Sequence, residues 1–163
     1  MKNSIKVMSL LTLAAAIAIL AVYPAMSQDK PADEMQILRE KVKADKKLLV
    51  ANNLELKESE AKGFWPVYEA YQKDLATINQ RTASLIESYA ADYRENTLTD
   101  EKAQRLAAEL VAIQQAEGGL QASYLPKLSK VLPAKKVVRY LQIENKIRAA
   151  VKYELAGYIP LVK

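Results

Sequence analysis

Hydrophobic residues recur along most of this chain at intervals of three and four residues, which is the period of an α-helix. The pattern predicts four helices: the first over about 33–50, the second over about 58–94, the third from Thr99 onward and the fourth from Pro133 to Gly157. No run of alternating β-branched residues and no Asn-Gly or Asp-Gly hairpin turn interrupts them. The expected fold class is therefore all-α.

The second predicted helix carries one seam with 3-4-3-4 spacing, which is typical of a coiled coil. Its positions are Ala61, Phe64, Tyr68, Tyr71, Leu75, Ile78, Thr82, Leu85 and Tyr89. The seam of the third helix is Ala103, Leu106, Leu110, Ile113, Leu120, Tyr124 and Leu128. Because the loop at 95–98 is short, these helices should form an antiparallel hairpin, elongated to about 55 Å and bent at Pro66 and Pro126. The flanking helices should pack through Met35, Leu38, Val42 and Leu49, and through Val137, Tyr140 or Leu141, Ile147, Val151 and Leu155.

Several aromatic residues exceed what a two-helix hairpin can bury. They are Trp65, Tyr71, Tyr89, Tyr93 and Tyr140. Exposed apolar area of that size usually marks an interface, so the sequence predicts an interlocked homodimer. A monomer whose first helix folds back on the hairpin is the alternative.

The first 27 residues have the pattern of a signal peptide. Lys2 and Lys6 precede an uncharged apolar stretch over 7–22, and Ala25 and Ser27 fit the −3 and −1 positions of a cleavage site. We expect a periplasmic protein whose mature form is one helical domain over 28–163, with its formal charge lowered from +5 to +3. A retained membrane anchor is the alternative.

The composition argues against catalysis. The chain has no His and no Cys, which removes the usual near-neutral base, the thiol nucleophile and the commonest transition-metal ligands. Carboxylate pairs such as Glu58 with Glu60 stand at predicted helix starts, where capping explains them. The chain also lacks a phosphate-binding loop and any nucleic-acid motif. We therefore expect no enzymatic activity, no cofactor, no metal site and no nucleic-acid partner.

The last third of the chain is basic and contains interleaved tyrosines. Such a surface attracts an acidic, partly unfolded polypeptide and then offers it apolar contact. The candidate residues for binding a client or partner are Lys127, Lys130, Lys135, Lys136, Arg139, Tyr140, Lys146 and Arg148. The alternative is a solvated helix face whose lysine stems cover the seam.

A short motif opens three of the helices: a leucine, a cap or first-turn residue, and an apolar residue five positions after the leucine. It occurs at 56–61, 98–103 and 132–137, and the last copy is followed by Arg-Tyr-Leu-Gln-Ile-Glu at 139–144. Over about 54–148 the chain resembles the LTxxQ-type periplasmic proteins, the superfamily of Spy, CpxP, ZraP and CnrX. It departs from their pattern at Glu60, Lys102 and Lys136, where glutamine is expected.

The resemblance implies a bent hairpin that dimerises into a shallow cradle. It also implies ATP-independent binding of unfolded or exposed apolar protein segments, as in an envelope-stress chaperone. The alternative function is that of a signalling accessory that docks on a membrane sensor kinase or anti-sigma factor. A third hypothesis is a purely structural coiled-coil protein. We do not expect this chain to sense metals as some members do, because those members bind metal through histidine and similar ligands that this chain lacks.

Overall fold

The computed structural model describes residues 32–162, and it describes side chains from residue 43 onward. Four helices account for nearly all of this part: α1 is Ala32–Leu54, α2 is Glu58–Glu95, α3 is Asp100–Val131 and α4 is Ala134–Tyr158. The described residues contain no strand, which confirms the all-α prediction. The predicted signal peptide lies outside the described residues, as do the side chains of Met35, Leu38 and Val42.

The helix boundaries follow local capping chemistry. The backbone N–H of Lys57 donates to Glu60 Oε2 over 2.8 Å. The Glu60 side chain therefore caps the start of α2. The predicted N-cap of α3 is correct, because Thr99 Oγ1 accepts from the backbone N–H of Lys102 over 3.3 Å. After α2, Asn96 takes a left-handed conformation with φ 54°, a common way for a helix to end.

The described residues fall into two compact units. One comprises the described residues up to Glu55 together with Val138–Leu161, and the other comprises Leu56–Val137 with Val162. We call the first the terminal unit and the second the hairpin unit. No helix of the described part is both long and apolar enough to cross a membrane.

In the hairpin unit, α2 and α3 pack in opposite directions. Tyr71 near the middle of α2 stacks edge-on against Tyr124 near the end of α3, with ring centroids 5.3 Å apart. Further along α2, Arg81 Nε lies 2.8 Å from Glu109 Oε1, and Asp92 pairs with Lys102 at the start of α3. Partners therefore appear in reverse order along the two helices, as the short connection requires.

The core of the hairpin unit occupies only part of its length. Buried side chains there are Phe64, Tyr68, Tyr71, Leu75, Ile78, Ile113, Tyr124, Leu128, Leu132 and Val137. Between residues 79 and 112 no side chain is buried, and the seam residues Thr82, Leu85 and Tyr89 are only half-buried. Leu110 was predicted to lie in the seam, but it is 49% exposed. Its neighbour Glu109 faces α2 instead and pairs with Arg81, which turns Leu110 outward by about 100° around the helix.

The five aromatic residues that the sequence predicted to exceed the hairpin core are partly accommodated within the chain: two are buried and none is exposed. Tyr71 and Tyr140 are 1% and 0% exposed, and Trp65, Tyr89 and Tyr93 are half-buried. Aromatic residues shield one another: the Trp65 ring lies 5.1 Å from Phe64 and 5.4 Å from Tyr68 between centroids. The homodimer stays a prediction, and the exposed aromatic residues of the described part are Tyr153 and Tyr158, at 78% and 72% exposure.

The terminal unit joins the end of α1 to α4. Its fully buried residues include Val50 and Leu54 of α1 and Tyr140 of α4, so Tyr140 rather than Leu141 takes the inward position. Glu144 is only 1% exposed, and Lys46 Nζ donates to its Oε2 over 2.9 Å. A buried carboxylate needs such a cation because desolvation of an unpaired charge is expensive.

Candidate binding groove

Four of the predicted binding residues lie in the hairpin unit. Lys127, Lys130 and Lys135 are exposed there. The Lys127 ammonium lies 3.9 Å above the centroid of the Tyr124 ring, in a cation–π contact. Lys136 is less available, because its side chain is 22% exposed and its Nζ lies 2.5 Å from Glu60 Oε2. The three exposed lysines can attract an acidic polypeptide, while Lys136 holds the start of α2.

The other four predicted residues lie in the terminal unit. Lys146 is exposed, Arg148 is half-buried, and the half-exposed Arg139 side chain lies 3.6 Å from Glu55 Oε1. Tyr140 is fully buried, so its assignment to a binding surface is wrong. The helical period explains the error, because Tyr140 lies on the same side of α4 as the buried residues Val137, Glu144 and Ile147.

A groove lies between α2 and α3 in the hairpin unit. It has a volume of about 600 Å³, within the range of sites that hold small molecules or several side chains. Its lining residues are Gln80, Arg81, Ser84, Leu85, Ser88, Ala91, Asp92, Lys102, Arg105, Leu106 and Glu109. It therefore occupies the stretch of the hairpin where no side chain is buried.

Ion pairs close the two ends of the groove. At one end Arg81 donates two hydrogen bonds to Glu109, from Nε over 2.8 Å and from Nη2 over 3.1 Å. This contact lowers the pKa of the Glu109 carboxyl and raises the pKa of the Arg81 guanidinium. At the other end Lys102 Nζ donates to Asp92 Oδ1 over 2.5 Å, and Thr97 Oγ1 donates to the same oxygen over 2.8 Å. Both contacts lower the pKa of Asp92, with Lys102 the larger cause.

Apolar side chains lie between these ion pairs. Leu85 of α2 and Leu106 of α3 are half-buried seam residues that line the groove, together with Ala91. Arg105 is exposed at the rim. An apolar floor with a charged, largely paired rim can accept one or a few apolar side chains from an extended or helical polypeptide. Its chemistry offers little that would select a particular sequence.

This groove was not predicted from the sequence. The seam pattern correctly includes Leu85 and Leu106, but a continuous seam implies close packing along the whole hairpin. The signal that breaks the seam is the pair of charged residues Arg81 and Glu109, which stand one position from Thr82 and Leu110. Where a charged pair spans two helices, the apolar side chains beside it are not fully buried between them.

No group of metal-ligating side chains occurs among the described residues. In comparisons with known proteins, the chain matches no family model, no curated protein and no solved structure. The similarity to LTxxQ-type proteins therefore stays a prediction from short motifs.

Proposed function

We propose that this protein is an ATP-independent, chaperone-like binding protein of the bacterial periplasm that holds exposed apolar segments of unfolded polypeptides. The observation that carries the proposal is the groove between α2 and α3, where Leu85 and Leu106 stay half-buried between two ion pairs. The signal-peptide pattern of the first 27 residues supports the location.

The geometry of the groove favours weak, broad recognition. Its charged groups mostly satisfy one another, so a client need not supply a matching polar group. Burial of an apolar side chain contributes about 25 cal/mol per Å² of apolar surface removed from water, which is enough for reversible capture by several contacts in sequence. A holding protein requires this kind of contact, because clients share exposed apolar surface and no sequence.

Positive charge at the groove rim, and about 27 Å or more from the groove on the same unit, supplies the long-range part of recognition. Arg105 stands at the rim, and the exposed Lys127, Lys130 and Lys135 belong to the same unit. Surface charges raise the rate of encounter with acidic chains and are screened over about 10 Å at 0.1 M salt. The rate of capture should therefore fall with salt, while the apolar contact that follows should not.

The test is the aggregation of a chemically denatured client, followed by light scattering with and without the protein at low and high salt. We expect suppression near stoichiometric ratio that is weaker at high salt. Leu106→Gln should weaken suppression at both salts, because it places an amide on the groove floor. Leu48→Gln is the matched control, since Leu48 is 59% exposed on α1 and lies outside the groove.

Two results would count against the proposal. Absence of suppression at either salt would favour a dedicated partner, such as a sensor kinase or anti-sigma factor, to be sought by pull-down from envelope extract. Equal suppression by Leu106→Gln and the unaltered protein, with both folded by circular dichroism, would remove the groove from the account.

A further inference from the structure

The exposed charge on α4 has a single sign. The helix contains two acidic residues, and neither is exposed: Glu144 is 1% exposed and pairs with Lys46, and Glu154 is half-buried. Between residues 134 and 162 every exposed charged side chain is therefore basic. A helix face that is merely solvated usually carries both signs, as α2 does at its exposed Glu69 and Lys73. The single sign on α4 indicates a surface suited to a negatively charged partner.

Two exposed lysines stand at the edges of a narrow face near the end of α4. The helical period places Lys146 and Lys152 about 120° apart around the axis, with the exposed Ala149 and Ala156 between them. Tyr153 lies within the same arc, and its side chain is 78% exposed. We call these five residues the basic face of α4. Small and aromatic side chains thus occupy its middle, and cations occupy both of its edges.

This arrangement suits a helix that lies flat on a lipid surface. Alanines in the middle of the face let the helix axis approach the headgroups closely. Lysines at the edges extend sideways, so that each ammonium reaches a phosphate while the stem stays against apolar surface. A tyrosine ring is stable at the boundary between headgroups and acyl chains, because its body is apolar and its hydroxyl is polar. Further exposed apolar side chains follow at Tyr158 and Leu161, which are 72% and 89% exposed.

We propose that the basic face of α4 binds the terminal unit to the surface of a membrane that contains anionic phospholipids. Such a membrane presents negative charge over a whole plane, so Lys146 and Lys152 both find headgroups without any matched spacing. An acidic polypeptide would have to place carboxylates on both sides of an apolar contact with Tyr153. The proposal is independent of the groove, because the groove belongs to the hairpin unit.

The two lysines set the expected strength of this contact. Each basic residue close to an anionic membrane strengthens binding about fivefold, so Lys146 and Lys152 together contribute about 25-fold. The attraction is screened over about 10 Å at 0.1 M salt. Binding should therefore be peripheral, reversible and weaker at high salt.

Co-sedimentation with lipid vesicles tests the proposal. The protein used is the predicted mature form from residue 28, because the apolar stretch over 7–22 would itself enter lipid, and all four described helices begin after residue 31. Circular dichroism checks its helical content. We expect binding to vesicles of phosphatidylglycerol and phosphatidylcholine in equal parts, and little binding to vesicles of phosphatidylcholine alone. Absence of binding to the anionic vesicles, or equal binding to both kinds, would overturn the proposal.

Paired lysine substitutions locate the contact. Lys146→Gln combined with Lys152→Gln should weaken binding to the anionic vesicles about 25-fold. The matched control combines Lys62→Gln with Lys73→Gln, which removes the same charge from exposed positions of α2. The control should bind nearly as well as the unaltered protein. Equal losses in the two double variants would show a response to net charge alone and would overturn the assignment to α4.

A fluorescent probe on the face itself gives a second readout, which uses the absence of native cysteine. Ala149→Cys is labelled with a polarity-sensitive dye, and Ala76→Cys, at an exposed position of α2, is the control. Anionic vesicles should shift the emission of the dye at position 149 to the blue and leave the dye at position 76 unchanged. Equal shifts, or no shift at position 149 in vesicle-bound protein, would overturn the proposal. A blue shift at position 149 with soluble polyglutamate but not with vesicles would assign the face to acidic polypeptides and overturn the membrane contact.

Discussion

The Tyr124 hydroxyl donates a 2.6 Å hydrogen bond to Asp74 Oδ2 and so ties α3 to the middle of α2. Tyr124 is 3% exposed, and its ring also contacts Tyr71 and the Lys127 ammonium. Burial, followed by the contact with Asp74, raises the pKa of Tyr124 to about 12. Tyr124 therefore joins α3 to α2 through both its hydroxyl and its ring.

Alkaline pH should weaken the hairpin through Tyr124. Because its folded pKa of about 12 exceeds the ordinary value of 10.0, the folded chain retains a proton that the unfolded chain loses. Its stabilising contribution is complete below pH 10 and is lost as pH rises toward 12. Tyr124→Phe should lower the free energy of unfolding by about 1 kcal/mol near pH 8 and flatten its decline above pH 10. Urea unfolding at several pH values measures both, and parallel declines for the two proteins would contradict the assignment.

Acid should weaken the start of α2 through Glu60. Its hydrogen bond with Lys136, and then the one from the Lys57 backbone, lower the Glu60 pKa below 4.5. The stabilisation is present above pH 4.5 and is lost as pH falls through the lowered pKa. Glu60→Gln should therefore reduce stability at neutral pH and make it less dependent on pH below 4.5. Glu58→Gln is the control, since Glu58 is 88% exposed on the same turn and should change little.

Gly63 and Gly118 should respond in opposite ways to alanine. A Cβ at Gly63 would lie 2.9 Å from Val131 Cγ1 and 3.1 Å from its Cβ, and β-branched valine has little freedom to move away. At Gly118 a Cβ meets only open space. Gly63→Ala should lower the melting temperature, whereas Gly118→Ala should raise the stability of the dilute monomer by up to about 1 kcal/mol. Thermal unfolding at low protein concentration decides, and stabilisation by both variants would contradict the close approach at Gly63.

The Lys46–Glu144 ion pair should be important to the terminal unit. Lys46→Met removes the ammonium that lies 2.9 Å from a carboxylate only 1% exposed. Loss of one partner of a buried pair costs about 3 kcal/mol or more. Lys146→Met, at an exposed position of the same unit, serves as the control and should be near neutral. Chemical unfolding gives the difference, and equal effects of the two variants would show that the pair contributes little.

The helices were predictable from the sequence because periodicity and capping are local. Thr99 and the leucine-led motifs located helix starts, and α1 extends only a few residues past its predicted end. The burial of particular residues was less predictable. Leu110 and Tyr140 were misplaced because the direction of a side chain depends on what the neighbouring helix presents, and a period alone does not give that.

The residues that depart from the LTxxQ pattern form ion pairs in the structure. Glu60 and Lys136 stand where that pattern has glutamine, and they form an ion pair with each other. Lys102, at the third such position, pairs with Asp92 at the end of the groove. Charged pairs thus occupy all three positions, and long-range pairing of this kind could not be foreseen from spacing.

Contact between an unfolded client and the groove is the most direct test of the proposed function. A photo-crosslinking amino acid is placed at Ser88, which lines the groove, and separately at Ser59, an exposed serine of α2 outside it. Each protein is illuminated with a denatured client, and the adducts are quantified. Binding in the groove predicts strong client adducts from position 88 and few from position 59. Equal yields, or adducts only from position 59, would contradict binding in the groove.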